Sequence, residues 1–296
     1  MNRRLLFFGA LLCALLLIVI PAPALEGAKS GIELCLRSVI PSLLPFIFLS
    51  TVICGQADLL HIPFADKLYR KLGLPPGSEA LLLLGWIGGY PIGARCICDS
   101  YRNKRISKQA AHHMLRFCNN AGPSFIFGVL SPLFTNPSYL WLLWLTQIVS
   151  SALTGFFLHR TTPQTAVFLP PAKSDLSQEL SASLRAMAQI CGWVILFRIV
   201  CTYLDRLVLL NCSPMIRTTV TGLLELTNGC FLLGNILNEK IRYILCSAML
   251  CFGGLCVCLQ TKTVTGSLGL RTYFQGKVLQ TVICLLLSIL TVLLLF

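Results

Sequence analysis

Of the 296 residues, 55% are hydrophobic and 12% charged, with a mean hydropathy of +0.77. A soluble domain carries about 25% charged residues, so this composition excludes one and reads as an all-α polytopic membrane protein embedded in a lipid bilayer. The net charge of +13 is scattered between apolar segments with no long basic run; that pattern excludes nucleic acid as a partner and marks the charges as determinants of membrane topology.

Arg3 and Arg4 precede an apolar run over residues 5–20, which with its flanks approaches the roughly 20 residues needed to cross a bilayer. Residues 1–28 are read as a transmembrane helix with a cytoplasmic amino terminus. Ala22-Pro23-Ala24 imitates the small-x-small site of a secretory signal, so cleavage after Ala24 stays open.

A first repeat is expected over residues 29–160. Residues 32–53 return across the membrane and place Lys67, Arg70 and Lys71 inside. If residues 80–97 crossed, Arg102, Lys104, Arg105 and Lys108 would lie outside. The segment is therefore read as a hairpin that enters from the cytoplasm and turns at Gly88-Gly89-Tyr90-Pro91. Residues 118–134 go out through a second interruption, and residues 139–158 come back. Residues 161–179, polar and proline-containing, are read as a cytoplasmic linker.

The second repeat, residues 180–296, runs the other way. Residues 184–204 go out, residues 215–237 form a hairpin broken at Thr227-Asn228-Gly229, residues 243–259 return, and residues 278–296 exit. On this path fourteen basic residues are inside, Lys262, Arg271 and Lys277 among them, against five outside: Lys29, Arg206, Arg217, Lys240 and Arg242.

The halves resemble each other in order: residues 32–53 with 183–204, GWIGGYPIGAR with GLLELTNGCFLLGN, and FCNNAGPSFIFG with CFGGLCVCLQ. The expected fold is thus two inverted-topology repeats with broken or re-entrant helices. A bilayer cannot hydrogen-bond a broken backbone, so such interruptions survive where they line a polar cavity or are buried in protein.

Gly88, Gly89, Tyr90, Pro91, Gly93 and Arg95 are candidate substrate-binding residues on the first hairpin. Asn119, Asn120, Gly122, Pro123 and Ser124 form a second set: the amides and hydroxyl offer donors and acceptors, and Pro123 suits a first helical turn. A packed Asn/Gly kink is the competing reading. Glu225, Thr227, Asn228 and Gly229, with Gly253 and Gly254, are their counterparts in the second half. Glu225 is open to roles as an arginine partner, proton carrier or cation ligand. Arg198, deep between VILF and IVC, is a better functional candidate than Arg37 or Arg185, whereas Arg116 reads as interfacial.

Most of the 15 cysteines sit in apolar runs as small apolar residues, Cys96 and Cys98 are too close for a ligand turn, and the histidines form no metal set. Neither a metal site nor a cofactor is expected. The chain lacks a phosphate loop, H-E-x-x-H and G-x-S-x-G. It is read as a transporter driven by a gradient or by simple downhill movement, and not as an enzyme.

At GGYPIGAR, FCNNAGPSFIFG, GLLELTNG and CFGGL the sequence resembles the YlbJ-type (SpoVV-like) sporulation membrane proteins, which carry the nucleoside-recognition or Gate domain. The resemblance implies a role in endospore formation and export of dipicolinic acid, in a bacterial cell membrane or the outer forespore membrane. The small-molecule substrate would then be dipicolinate or a similar solute. A transporter of nucleosides or metal ions and a noncatalytic sporulation scaffold remain alternatives, and a homo-oligomer remains open.

Overall fold

The computed structural model describes residues 3–56, 66–75, 77–159 and 175–295. The expected linker falls largely on residues 160–174, outside the described residues. Every regular element among the described residues is helical.

The first half opens with α1 (Arg3–Val19) and α2 (Pro21–Leu34). α2 continues through a π-helical turn, Cys35–Val39, into α3 (Ile40–Gly55). PAPALEG forms the first turns of a long helix: Pro21 and Pro23 lack N–H groups that the first turn leaves unpaired anyway. The π turn lies just before Pro41 and Pro45, whose rings crowd the carbonyls four residues back and remove two ladder bonds.

Short helix α4 (Asp66–Leu72) leads to α5 (Glu79–Ile87) and α6 (Ile92–Arg102), the two limbs of the expected hairpin. α7 (Lys108–Met114) is N-capped by Ser107, which accepts from Ala110 N at 3.1 Å. The chain then breaks and restarts as α8 (Pro123–Val129), so residues 118–134 are interrupted, as their sequence suggests. α9 (Ser138–Phe157) closes the half.

α10 (Leu176–Leu207) begins four residues inside the expected linker, N-capped by Asp175, which accepts from Ser177 N at 2.9 Å. α11 (Pro214–Leu224) and α12 (Leu226–Leu232) form a hairpin. Its turn is at Glu225, so Thr227, Asn228 and Gly229 are helical and the expected break is shifted towards the amino terminus. α13 (Glu239–Phe252) stops at Gly253, where φ is +78°, and α14 (Gly254–Thr265) restarts at once. α15 (Arg271–Leu295) is the last helix among the described residues.

Among the described residues, five stretches are long and apolar enough to cross a membrane: Pro21–Ile53, Ser138–Phe157, Leu176–Leu207, Glu239–Leu268 and Arg271–Leu295. Their burial sorts them. In Glu239–Leu268, 67% of the apolar window is covered by the rest of the protein, against 17% in both Pro21–Ile53 and Arg271–Leu295, so the former is central and the latter two present apolar faces outward.

Paired helices of the two halves run antiparallel. Gly27 packs on Ile199, Gly31 on Ile195, and Thr51 receives a hydrogen bond from Ser183 at 3.4 Å, so α2–α3 ascends as α10 descends. α9 runs with α13, Thr146 meeting Tyr243 at 3.2 Å and Ser150 meeting Cys251 at 3.5 Å. α15 runs against α13, Gln280 meeting Cys251 and Cys284 meeting the Ser247 carbonyl at 3.4 Å. α9 and α15 are therefore antiparallel as well.

Each hairpin crosses on a glycine pair. A Cβ on Gly93 would lie 3.0 Å from the Gly85 Cα and overlap the Cys118 carbonyl, and one on Gly229 would overlap the Gly222 backbone.

Candidate functional site

The four interruptions meet. A small central cavity of about 40 Å³ is lined by Gly89 and Tyr90 from the first hairpin tip, Ala121 and Gly122 from the first break, and Glu225 to Thr227 from the second hairpin tip. Val257 and Gln260 follow the second break, and Leu43, Phe125, Ile190 and Val194 complete the wall. The space suffices for a few water molecules, each needing about 10–15 Å³.

Two larger clefts flank it. The first, about 300 Å³, carries Arg95, Arg102 and Arg185 with one carboxylate, Asp99. Asp99 is 3.1 Å from Arg102 and 3.7 Å from Arg95, and Arg185 makes no ion pair among the described residues. Ile190 and Gln260 line both this cleft and the central cavity, and so form the partition between them. The second cleft, about 340 Å³, is walled by Ser30, Glu33, Arg37, Arg198 and Asn228.

Along α10 the lining passes from the first cleft (Ala182 to Trp193) through the cavity (Ile190, Val194) to the second cleft (Arg198). Along α2–α3 the order is reversed: Ser30 to Ser38, then Leu43, then Ile47. The clefts thus open at opposite ends of the cavity; Arg185 and Arg198 are about 20 Å apart at 1.5 Å per helical residue.

Glu225 is 2% exposed and caps α12, its two oxygens accepting from Thr227 N at 3.0 Å and Asn228 N at 2.7 Å. Of the roles open to it in the sequence, direct pairing with arginine is not what the geometry displays. Arg198 instead donates to Asn228 Oδ1 and Ser30 Oγ, both at 2.9 Å. The Asn228 amide nitrogen, buried beside them, has no partner among the described residues and is an available donor.

Asn119 and Asn120 line none of these spaces. Asn119 accepts from Ala94 N at 3.2 Å and donates to Thr261 at 3.3 Å, tying the first break to α6 and α14. Asn120 donates to the carbonyls of Phe117 (2.7 Å) and Gly85 (3.0 Å). Pro123 and Ser124 open α8, Gly88 is buried at the hairpin tip, and Gly254 packs against the Gly222 and Leu224 carbonyls. Gly253 lies against the Tyr90 ring, 3.2 Å from where a Cβ would stand.

The residue that sequence reading misplaced is Lys277. Expected among the cytoplasmic loop charges, it is fully buried in α15, where its ammonium donates to Gln280 Oε1 at 2.7 Å and to Asn120 Oδ1 and Tyr90 OH at 3.1 Å. The Tyr90 hydroxyl in turn donates to the Leu250 carbonyl at 3.0 Å, on the last turn of α13 before the break. The signal was present: Lys277 and Gln280 are polar residues at i, i+3 inside an apolar run, and polar groups at membrane depth face the protein interior. Outside the five spans, burial holds His113 of α7 below the ordinary histidine range, with Arg116 and His159 adding to the effect. The ring meets the Leu72 carbonyl at 2.6 Å and ties α4 to α7.

No family model and no solved structure matches the chain. It is 29% identical over 116 residues to the sporulation integral membrane protein YlbJ of Bacillus subtilis (strain 168). The chain is related to a sporulation membrane protein. The matched stretch covers 38% of this chain and 28% of that relative's length.

Proposed function

We propose that the chain is a secondary transporter of a small anionic solute, built from two inverted repeats that expose the central cavity to the two clefts in turn. The observation that carries this reading is the cleft–cavity–cleft order along two antiparallel helices, with all four chain interruptions at the middle. A pseudo-two-fold relation in the membrane plane turns each cleft into the other, so exchanging the conformations of the halves opens one side as it closes the other. Ligand sites for small molecules occupy about 300–1,000 Å³. The solute is therefore held first in the first cleft, and it enters the centre only when Ile190 and Gln260 part.

Three arginines against one aspartate leave that cleft with two uncompensated positive charges. A planar dicarboxylate suits this balance, because guanidinium groups grip carboxylates bidentately. With kinship to a sporulation protein, dipicolinate is the solute proposed, moving across a membrane of the sporulating cell. The loop bearing Arg102, Lys104 and Arg105 adjoins the first cleft and makes that side cytoplasmic by the positive-inside rule.

The test is uptake of labelled dipicolinate into proteoliposomes. Wild-type protein is expected to take it up, unaffected by excess nucleosides, and Arg95→Ala with Arg185→Ala should reduce uptake at least about tenfold, the loss of roughly 1.4 kcal/mol or more of binding. Competition by nucleosides would replace the proposed substrate, and absence of uptake by folded protein would favour a scaffold.

A further inference from the structure

Lys277 is a buried cation without an anion. Its three N–H donors are all taken, by Gln280, Asn120 and Tyr90, which is the number an ammonium carries. Among the described residues no carboxylate pairs with it. The titratable groups that face it are Tyr90 from the first hairpin tip, Cys118 from the first break, Cys251 from α13, Cys258 from α14, and Tyr273 and Cys284 from its own helix. None of them is an anion in its ordinary state at neutral pH. A buried charge so placed either acquires a counter-ion or gives up its proton.

Both outcomes reach the transport path through one side chain. Tyr90 lines the central cavity on one side and takes the Lys277 hydrogen bond on the other. While Lys277 is charged, the Tyr90 oxygen accepts from it and the hydroxyl proton is directed to the Leu250 carbonyl, which fastens the first hairpin tip to the end of α13. Once Lys277 is neutral, its nitrogen becomes an acceptor. The Tyr90 hydroxyl then turns to it and lets go of α13.

We propose that Lys277 is the proton site of the transport cycle, so that the anion and one proton move together and no sodium ion is needed. The proton passes from the ammonium to water admitted to the cavity behind Tyr90, leaving a neutral amine, and is regained when the cavity faces the other side. An anion in the cavity supplies the missing counter-charge, which ties solute binding to the protonated state. This inference rests on the transport reading above.

The experiment has two arms. In proteoliposomes, dipicolinate uptake by the wild type should rise with a pH gradient, acid on the side from which the solute comes, and ignore a sodium gradient. Lys277→Arg, permanently charged, should keep dipicolinate–dipicolinate exchange and lose gradient-driven accumulation. An equal loss of both, or uptake driven by sodium, overturns the assignment. The second arm needs no solute: the melting temperature of purified protein in detergent is followed from about pH 6 to about pH 10 for the wild type and Lys277→Met. The difference should change as a one-proton step, and a constant difference overturns the proposal. Should the wild type move no dipicolinate, the substrate reading falls, and this second arm still decides whether Lys277 titrates. Should Lys277→Met fail to fold, Lys277→Arg replaces it in the same pH series.

Discussion

Asn120 engages five groups from a single side chain. Its amide nitrogen donates to the Phe117 and Gly85 carbonyls and reaches Ser151 at 3.4 Å, while its oxygen accepts from Lys277 and from Gln280 Nε2 at 2.7 Å. A buried polar atom that loses its partner costs about 1–3 kcal/mol. Asn120→Ala strands several at once, so it should lower stability by about 3 kcal/mol or more. Asn119→Ala, which releases only Ala94 N and Thr261, should lose about 1–3 kcal/mol. Thermal melting in detergent checks the order, and an equal effect of the two would contradict it. The adjacent asparagines were legible in the sequence as an unusual polar pair at membrane depth. Where their amides point was not, because the direction of a side chain in a broken segment depends on the helices that close around it. Lys277 illustrates the opposite error: a charge near a segment end looks like a loop charge until packing places the segment's first turns indoors.

At the scale of helices, interruption and close approach were both written in glycine. The first hairpin turns where its Gly-Gly-Tyr-Pro run stands, and the second half breaks at Gly253-Gly254 as its sequence suggests. The second hairpin defeated the same reasoning, since Thr-Asn-Gly resembles a turn. The turn is made instead by Glu225, whose carboxylate supplies the cap that lets Thr227 and Asn228 start a helix. Glycines of the two kinds should behave differently on substitution. Gly192 in α10 has open space, with no atom within 4 Å, where an alanine methyl group would stand, so Gly192→Ala should stabilise by about 0.5–1 kcal/mol through helix propensity alone. Gly93→Ala would force the hairpin limb off the Cys118 carbonyl and should destabilise by about 1–3 kcal/mol, as overpacking does. Melting temperatures of the two variants, moving in opposite directions, are the check.

At the scale of the whole molecule, the membrane class and the all-helical architecture could be read from composition and punctuation. The clefts could not, because they are spaces between antiparallel helices distant in sequence: Ile47 lines one with residues of α10, and Arg198 lines the other with residues of α2. The cysteines bear on the same packing. Of the fourteen whose burial is described, eleven are buried, Cys191 and Cys212 are half-buried, and Cys13 is exposed on α1. A thiol reagent applied to folded protein in detergent should therefore modify at most about four or five of the 15 thiols, and all of them after unfolding. Mass spectrometry counts the adducts, and extensive labelling of the folded form would contradict the packing.

Lys277 also fixes an order of assembly. α15 is made after both hairpins and both broken helices, yet it brings the ammonium that Asn120 and Tyr90 of the first half bind. Until it arrives, the amide of Asn120 and the hydroxyl of Tyr90 face a gap in the bilayer, and Gly276 has not yet seated against the Arg116 backbone. The first half is thus synthesised and inserted in an unfinished state, and a helix made after all four interruptions is the one that closes the centre.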